Sequence, residues 1–169
     1  FWHDHGCSVL YAEQRGQGES EGEYMGFGML ERYDCLKWAQ WANENNPDNL
    51  PIYLVGLSMG ATTVLMTGDL ELPENVHGIM ADCGFTSAHE IWKHVAEENL
   101  HLRFAVHAAA ANDLCKKKIS IGSQECSTVD VLKQCKVPVL FVHGADDGFV
   151  PVRMTHENYA ACASEKHLL

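Results

Sequence analysis

The residues with the most chemical content in this chain are Gly56-Leu57-Ser58-Met59-Gly60, a serine between two glycines. An apolar run, Pro51 to Val55, leads into it and a stretch of small residues follows. A serine hydroxyl becomes a useful nucleophile when a base takes its proton, and the N–H of the next residue, Met59, stands where a developing oxyanion could be bound. The chemistry of such a pair is acyl transfer. Glycine at 56 and 60 would remove side chains that collide as a strand and a helix close around a tight turn, leaving the serine in a strained backbone conformation. A helix starting at Met59 would add the positive end of its dipole. The same five residues also fit a plain strand–turn–helix corner with Ser58 as helix N-cap.

The surrounding pattern supplies elements that could hold such a turn. Ser8 to Ala12 and residues 51–56 are short apolar runs bounded by glycine and polar residues, and both read as strands. Val76 to Ala81 is a weaker strand, Val137 to His143 another, and His167-Leu168-Leu169 looks like the opening of one more. The runs at 51–56 and 137–143 are apolar on both faces, as in a buried parallel sheet. Cys35, Trp38, Ala39 and Ala42 share one helical face within residues 29–46, which Asn45-Asn46-Pro47-Asp48 terminates. Helices are expected over 59–70, 88–103, 129–134 and 151–165, whereas 104–128 is mixed, with Lys116 to Lys118 as a solvated face. Alternating strands and helices predict an α/β fold with a mostly parallel sheet in three layers.

At 169 residues the chain suits one domain, given roughly 100–200 residues each. Twelve basic against twenty-three acidic residues leave a net charge of −11, which argues against nucleic acid or an anionic membrane surface as partner. No apolar run approaches the ~20 residues of a membrane span. Seven cysteines without a C-x-x-C pair read as mostly reduced thiols of a cytoplasmic protein, with a Cys115–Cys126 bridge as an unsupported alternative. Ten histidines offer one close pair, His3-Asp4-His5, short of the three or four spaced ligands of a zinc site, so no metal is expected. The Gly-rich stretch 16–28 lacks the ending of a phosphate loop, and no cofactor motif is present.

Four motifs in order resemble the α/β-hydrolases, and among them the bacterial serine aminopeptidase and esterase type. They are Arg15-Gly16-Gln17-Gly18-Glu19-Ser20, the serine turn at 56–60, Asp82-Cys83-Gly84-Phe85-Thr86-Ser87, and His143-Gly144-Ala145-Asp146-Asp147-Gly148-Phe149-Val150-Pro151. The resemblance covers nearly the whole chain. It implies an α/β-hydrolase-type sandwich, Ser58 as nucleophile, Met59 as an oxyanion donor and Asp147 as the triad acid. Asp146, one residue out of phase, and Asp82, which also follows a strand, are the alternatives, and a carboxylate in such a loop can simply serve turn chemistry. His143 reads as structural.

The resemblance also implies a histidine that follows the acid by a helix, a strand and a loop. Of the two histidines after Asp147, His156 falls on a helix surface and His167 stands where the last strand begins. The base is therefore expected beyond Leu169, and the second oxyanion loop before Phe1, whose first residues look like the end of a helix. The chain reads as an internal piece of a longer sequence, with its sheet incomplete at both ends. Residues 85–128 fall where the family inserts cap elements, and Phe85, Ile91, Trp92, Val95, Leu102, Phe104 and Val106 could line an apolar pocket there. The leading expectation is a serine hydrolase cleaving a small-molecule carboxylic ester, a thioester or a peptide amide. The alternative is a non-catalytic α/β-hydrolase-like piece or binding module. The oligomeric state is left open.

Overall fold

Four parallel strands lie side by side in chain order in the computed structural model, which describes residues 2–169. They are β1 (Ile52–Leu57), β2 (Val76–Asp82), β3 (Val139–Val142) and β4 (Lys166–Leu168). The helices are α1 (Glu31–Glu44), α2 (Met59–Leu65), α3 (Ala88–His94), α4 (Phe104–Ile119), α5 (Thr128–Leu132) and α6 (Val152–Ala161). Each parallel step needs a crossover, and helices supply it. This is the α/β pattern with a parallel sheet that the alternating strands and helices predict.

The register explains where the core sits. Leu54, Ile79 and Val139 align across three strands, as do Gly56, Ala81 and Phe141. These residues point to one face, where they meet Ala39 of α1, Ala61, Val64 and Leu65 of α2, Leu132 of α5 and Cys162 beyond α6. Among the described residues this is the face the helices cover, while Tyr53, Val55 and Leu57 on the other side of β1 are exposed. A second apolar cluster, with Phe85, Ile91, Val150 and Met154 at its centre, collects beyond the ends of β2 and β3.

Three expectations change. Residues 8–12 form no strand: they are extended, and Val9, Leu10 and Tyr11 are exposed. Apolar content alone does not make a strand; a ladder partner is required, and no described strand pairs with this segment. The helix expected over 88–103 ends early. After α3 come a π-helical turn at Val95–Asn99 and a break at 100–103 where His101 has φ 55°. The mixed stretch instead yields the 16-residue α4, whose Ala108 to Ala111 favour helix without marking a strong apolar stripe.

The lysines of that stretch lie in the last turn of α4, favourably placed against its dipole. Two of them are engaged, Lys116 with Glu125 at 2.7 Å and Lys118 with the Tyr24 hydroxyl at 2.7 Å. All seven cysteines are free, so Cys115 and Cys126 are not bridged. At the start, His3–His5 form one turn of 3-10 helix, and Phe1 lies outside the described residues.

Candidate active site

The register brings three strand ends level. Leu57 pairs with Asp82 and Asp82 with Val142, so the next residues, Ser58, Cys83 and His143, stand in a row along the C-terminal edge of the sheet. The backbone continues the ladder one step further: Ser58 N–H donates to Asp82 O at 2.8 Å and Cys83 N–H to Val142 O at 2.9 Å. Neighbouring strands lie about 4.8 Å apart, so consecutive loops at this edge reach the same region of space.

Ser58 sits at φ 53° and ψ −114°, in the left-handed half of backbone space that side chains disfavour. Its side chain makes no capping hydrogen bond, which removes the helix N-cap as the reason for a serine here. The strain is imposed by close packing behind the turn. A Cβ at Gly56 would lie 2.2 Å from Gly60 O and 2.6 Å from Ala61 N, so strand and helix meet backbone to backbone. Gly60 differs from expectation: a Cβ there would have Gln14 Nε2 as nearest neighbour at 4.0 Å. The collision that forbids side chains is confined to position 56. Met59 opens α2, so its N–H has no partner within the helix and remains a donor.

Asp147 is fixed by its own loop. Its Oδ1 accepts from Phe149 N at 2.8 Å and Val150 N at 2.9 Å, and its Oδ2 lies 3.5 Å from His143 Nε2. Burial pushes this carboxyl upward, but the two N–H donors and His143 outweigh it and hold it below the ordinary carboxylate value. Asp147 is therefore an anion at neutral pH with one oxygen tied to the backbone. Asp146 is exposed, and among the described residues no hydrogen bond reaches its carboxylate. Asp82 closes β2 and contributes its carbonyl to Ser58 N–H.

His143 is engaged at both nitrogens. Nε2 lies 2.9 Å from Val150 O, a carbonyl that only accepts, so Nε2 carries the hydrogen. Nδ1 then accepts from Thr155 Oγ1 at 2.6 Å. With its side chain 1% exposed, His143 pins the Asp147 loop to α6 and has no lone pair to offer a serine. It is the imidazole within ion-pair distance of Asp147 among the described residues. His156 is on the exposed side of α6, and His167 lies in β4 opposite Leu140, its ring exposed beside Glu165 at 3.5 Å.

Cys83 is a residue the sequence gave no reason to single out. It occupies the position between the Ser58 and Asp147 loops with φ 49°. Burial pushes its thiol up, the Ser58 backbone opposes this, and the charges of Asp82 and Asp147 push it further. A thiol pushed up in this way stays in its neutral, less reactive form at neutral pH.

The apolar residues divide. Phe85, Ile91, Trp92 and Val95 gather with Met59 and Phe27, the Phe27 and Trp92 rings meeting edge to face at 5.1 Å. Leu102 and Val106 are exposed, and buried Phe104 packs on His89 instead. Phe27 is carried by a loop that Glu31, buried at the start of α1, holds through Gly26 N and Gly28 N at 2.5 and 2.8 Å. Behind Phe27 and Trp92 a cavity of about 320 Å³ runs along α4, lined also by Tyr24, Leu114 and Ile119. A second, of about 580 Å³, lies beside Arg15 and Asp34, and neither is lined by Ser58 or Asp147. Among the described residues no group of three His, Cys, Asp or Glu side chains converges as a metal site would, and no helix is long and apolar enough to cross a membrane.

A parallel sheet with a strained serine at the end of one strand and a backbone-held aspartate after the next but one defines an α/β-hydrolase fold. The model of the serine aminopeptidase S33 family matches residues 1–118, and the chain belongs to that family. An uncharacterised Bacillus subtilis (strain 168) protein, YqkD, is 27% identical over 156 residues, 92% of this chain and 51% of that protein. The chain thus spans about half the length of this curated relative. Among solved structures, the Pyrococcus furiosus esterase Pf2001 has a TM-score of 0.63 at 21% identity, covering 92% of this chain and 58% of the esterase. Acetyl xylan esterase 1 from Thermoanaerobacterium sp. JW/SL YS485 has a TM-score of 0.64 at 19% identity, covering 92% and 56%. An acylaminoacyl peptidase of Pyrococcus horikoshii has 0.55 at 16%, covering 84% and 23%. Likeness at these identities establishes the shared fold.

Proposed function

We propose that this chain carries the nucleophile and acid of a serine hydrolase that cleaves a carboxylic ester, a thioester or a peptide amide. The observation that supports this most is Ser58 at φ 53° without a capping bond, its turn packed against Gly56. A serine strained at the end of a strand, with its hydroxyl not spent on a cap, fits a nucleophile and not a corner. Ser58 Oγ attacks the acyl carbon, the Met59 N–H receives the developing oxyanion, and water later releases the acyl group from the serine. Asp147, anionic and anchored, holds a histidine in the correct tautomer and stabilises its cation.

Among the described residues the imidazole within ion-pair distance of Asp147 is His143, whose nitrogens are both occupied, so the first reading takes its histidine from elsewhere. The same observation favours a second reading, in which this chain by itself is a non-catalytic α/β-hydrolase-like piece. Residues 85–128 act as the cap in the first reading, with Phe27, Phe85, Trp92 and Val95 as the apolar wall nearest Met59. The substrate is a small acyl compound or a peptide, in keeping with the esterases and peptidases that share the fold.

Turnover separates the readings. In the full-length protein, hydrolysis of p-nitrophenyl esters and of aminoacyl anilides is expected, and Ser58→Ala should abolish it. Retention of that activity in Ser58→Ala would remove the nucleophile assignment. Absence of any turnover in the wild type would favour the non-catalytic reading.

A further inference from the structure

Away from the serine edge, two buried cysteines converge at one end of the core. Cys135 follows α5 and Cys162 follows α6, and they are 4% and 3% exposed. Both belong to the same apolar cluster of the core. They also converge on one polar point: Cys135 Sγ donates to Val137 O at 3.3 Å, Ser164 Oγ donates to the same carbonyl at 2.7 Å, and Cys162 Sγ lies 3.2 Å from Ser164 Oγ. The two connections are already joined through the backbone, by Ala163 N–H to Leu132 O at 3.0 Å. The Lys166 ammonium binds Cys162 O at 2.8 Å. No part of the serine chemistry uses this cluster.

We propose that Cys135 and Cys162 form a reversible disulfide when the protein meets hydrogen peroxide. Two thiols gathered around one hydrogen-bonded carbonyl and hydroxyl, Val137 O and Ser164 Oγ, are placed to join once one is oxidised. The neighbouring Cys135 draws Cys162 below its ordinary thiol value despite burial, helped by Ser164 and by the Lys166 charge. Cys135 is pushed up by Cys162 and by its own burial. The thiolate is the nucleophile of such chemistry, which makes Cys162 the sulfur that reacts first and Cys135 the one that resolves it.

In the first step the Cys162 thiolate attacks one oxygen of the peroxide, the O–O bond breaks, and hydroxide leaves, giving a sulfenic acid. In the second, Cys135 sulfur attacks the sulfenic sulfur and a water departs. Two thiols and one peroxide thus become one disulfide and two waters. A peroxide is small enough to approach sulfurs this buried, whereas a bulky disulfide oxidant is not. The product closes residues 136–161 into a covalent loop that carries β3, the Asp147 turn and α6. It stands whether or not Ser58 is catalytic.

Peptide mapping of peroxide-treated protein tests this. Trypsin releases Cys135 in peptide 134–136 and Cys162 in peptide 154–166, neither with another cysteine. The expected result is a linked pair about 2 Da below the sum of the two reduced peptides, lost on treatment with dithiothreitol. In Cys135→Ser, a dimedone adduct should appear on Cys162, since the sulfenic acid has no resolving partner. The wild-type map decides without the variant. Both thiols still alkylated after exposed Cys7 has been oxidised would overturn the proposal. So would Cys162 carried to sulfinic or sulfonic acid without a link, or either cysteine joined to a different partner.

Discussion

Replacing Gly56 by alanine tests the claim that backbone packing behind the turn holds Ser58 in place. The added Cβ would meet Gly60 O at 2.2 Å, Gly60 C at 2.3 Å and Ala61 N at 2.6 Å. Carbon contacts settle at about 3.5–4.0 Å, so β1 and α2 must part by roughly 1 Å. No side-chain rotation can relieve this, because every atom met is backbone. Overpacking of this kind costs about 1–3 kcal/mol. For a chain of this length that is a fall of roughly 3–10 °C in Tm. A nucleophile displaced by about 1 Å loses about 10²-fold in rate. Gly60→Ala is the control. Its Cβ would meet nothing nearer than 4.0 Å, and alanine is the better helix former by about 0.8–1.0 kcal/mol. Thermal unfolding and ester turnover of the two variants should therefore diverge, Gly56→Ala losing both stability and rate while Gly60→Ala holds or gains stability. Equal Tm values for the two variants would refute the reasoning.

Two further outcomes follow from the Asp147 loop. The folded protein holds this carboxyl below its ordinary value of 3.8, so the stabilisation it gives is complete above that value and is lost as pH falls through the depressed folded value. Urea unfolding followed into acid should show this loss in wild type and a flatter profile in Asp147→Asn; identical profiles would mean the Phe149 and Val150 bonds contribute nothing. Thr155→Val removes the donor to His143 Nδ1 without changing shape, leaving a buried acceptor unpaired at a cost of about 1–3 kcal/mol. Nitrogen-15 shifts of the His143 ring should report the Nε2–H tautomer in wild type, and the Nδ1–H form would contradict the assignment to Val150 O.

How far the sequence reaches is clearest where neighbours matter. The strands at 51–56 and 137–143 were legible because each is apolar on both faces and bounded by turn residues, and they appear as β1 and β3 with ends shifted by one or two residues. Ser8 to Ala12 carries the same local signal but no ladder, because pairing is a property of the neighbour and not of the segment. Helix α4 was hidden because helix propensity without a stripe leaves no periodic mark. At the site, Ser58 and Asp147 stood out through their motifs, and the structural role of His143 follows from both ring nitrogens being engaged. Cys83 lay inside a motif that gave it no role of its own, and Glu31 had no motif. One is brought between two loops by strand register, the other is buried by the turn it holds, and both facts arise only on folding. The convergence of Cys135 and Cys162 on Val137 O and Ser164 Oγ likewise joins two connections separated in sequence.

We propose Ser58 as an activated nucleophile. A fluorophosphonate probe reacts with such a serine and ignores ordinary hydroxyls, so labelling followed by peptide mapping tests it most directly. In the full-length protein one equivalent of probe should add to the peptide containing Ser58, slowly in Asp147→Asn and not at all in Ser58→Ala. Stoichiometric labelling that persists in Ser58→Ala, or full-length wild type that takes up no probe, would contradict the account.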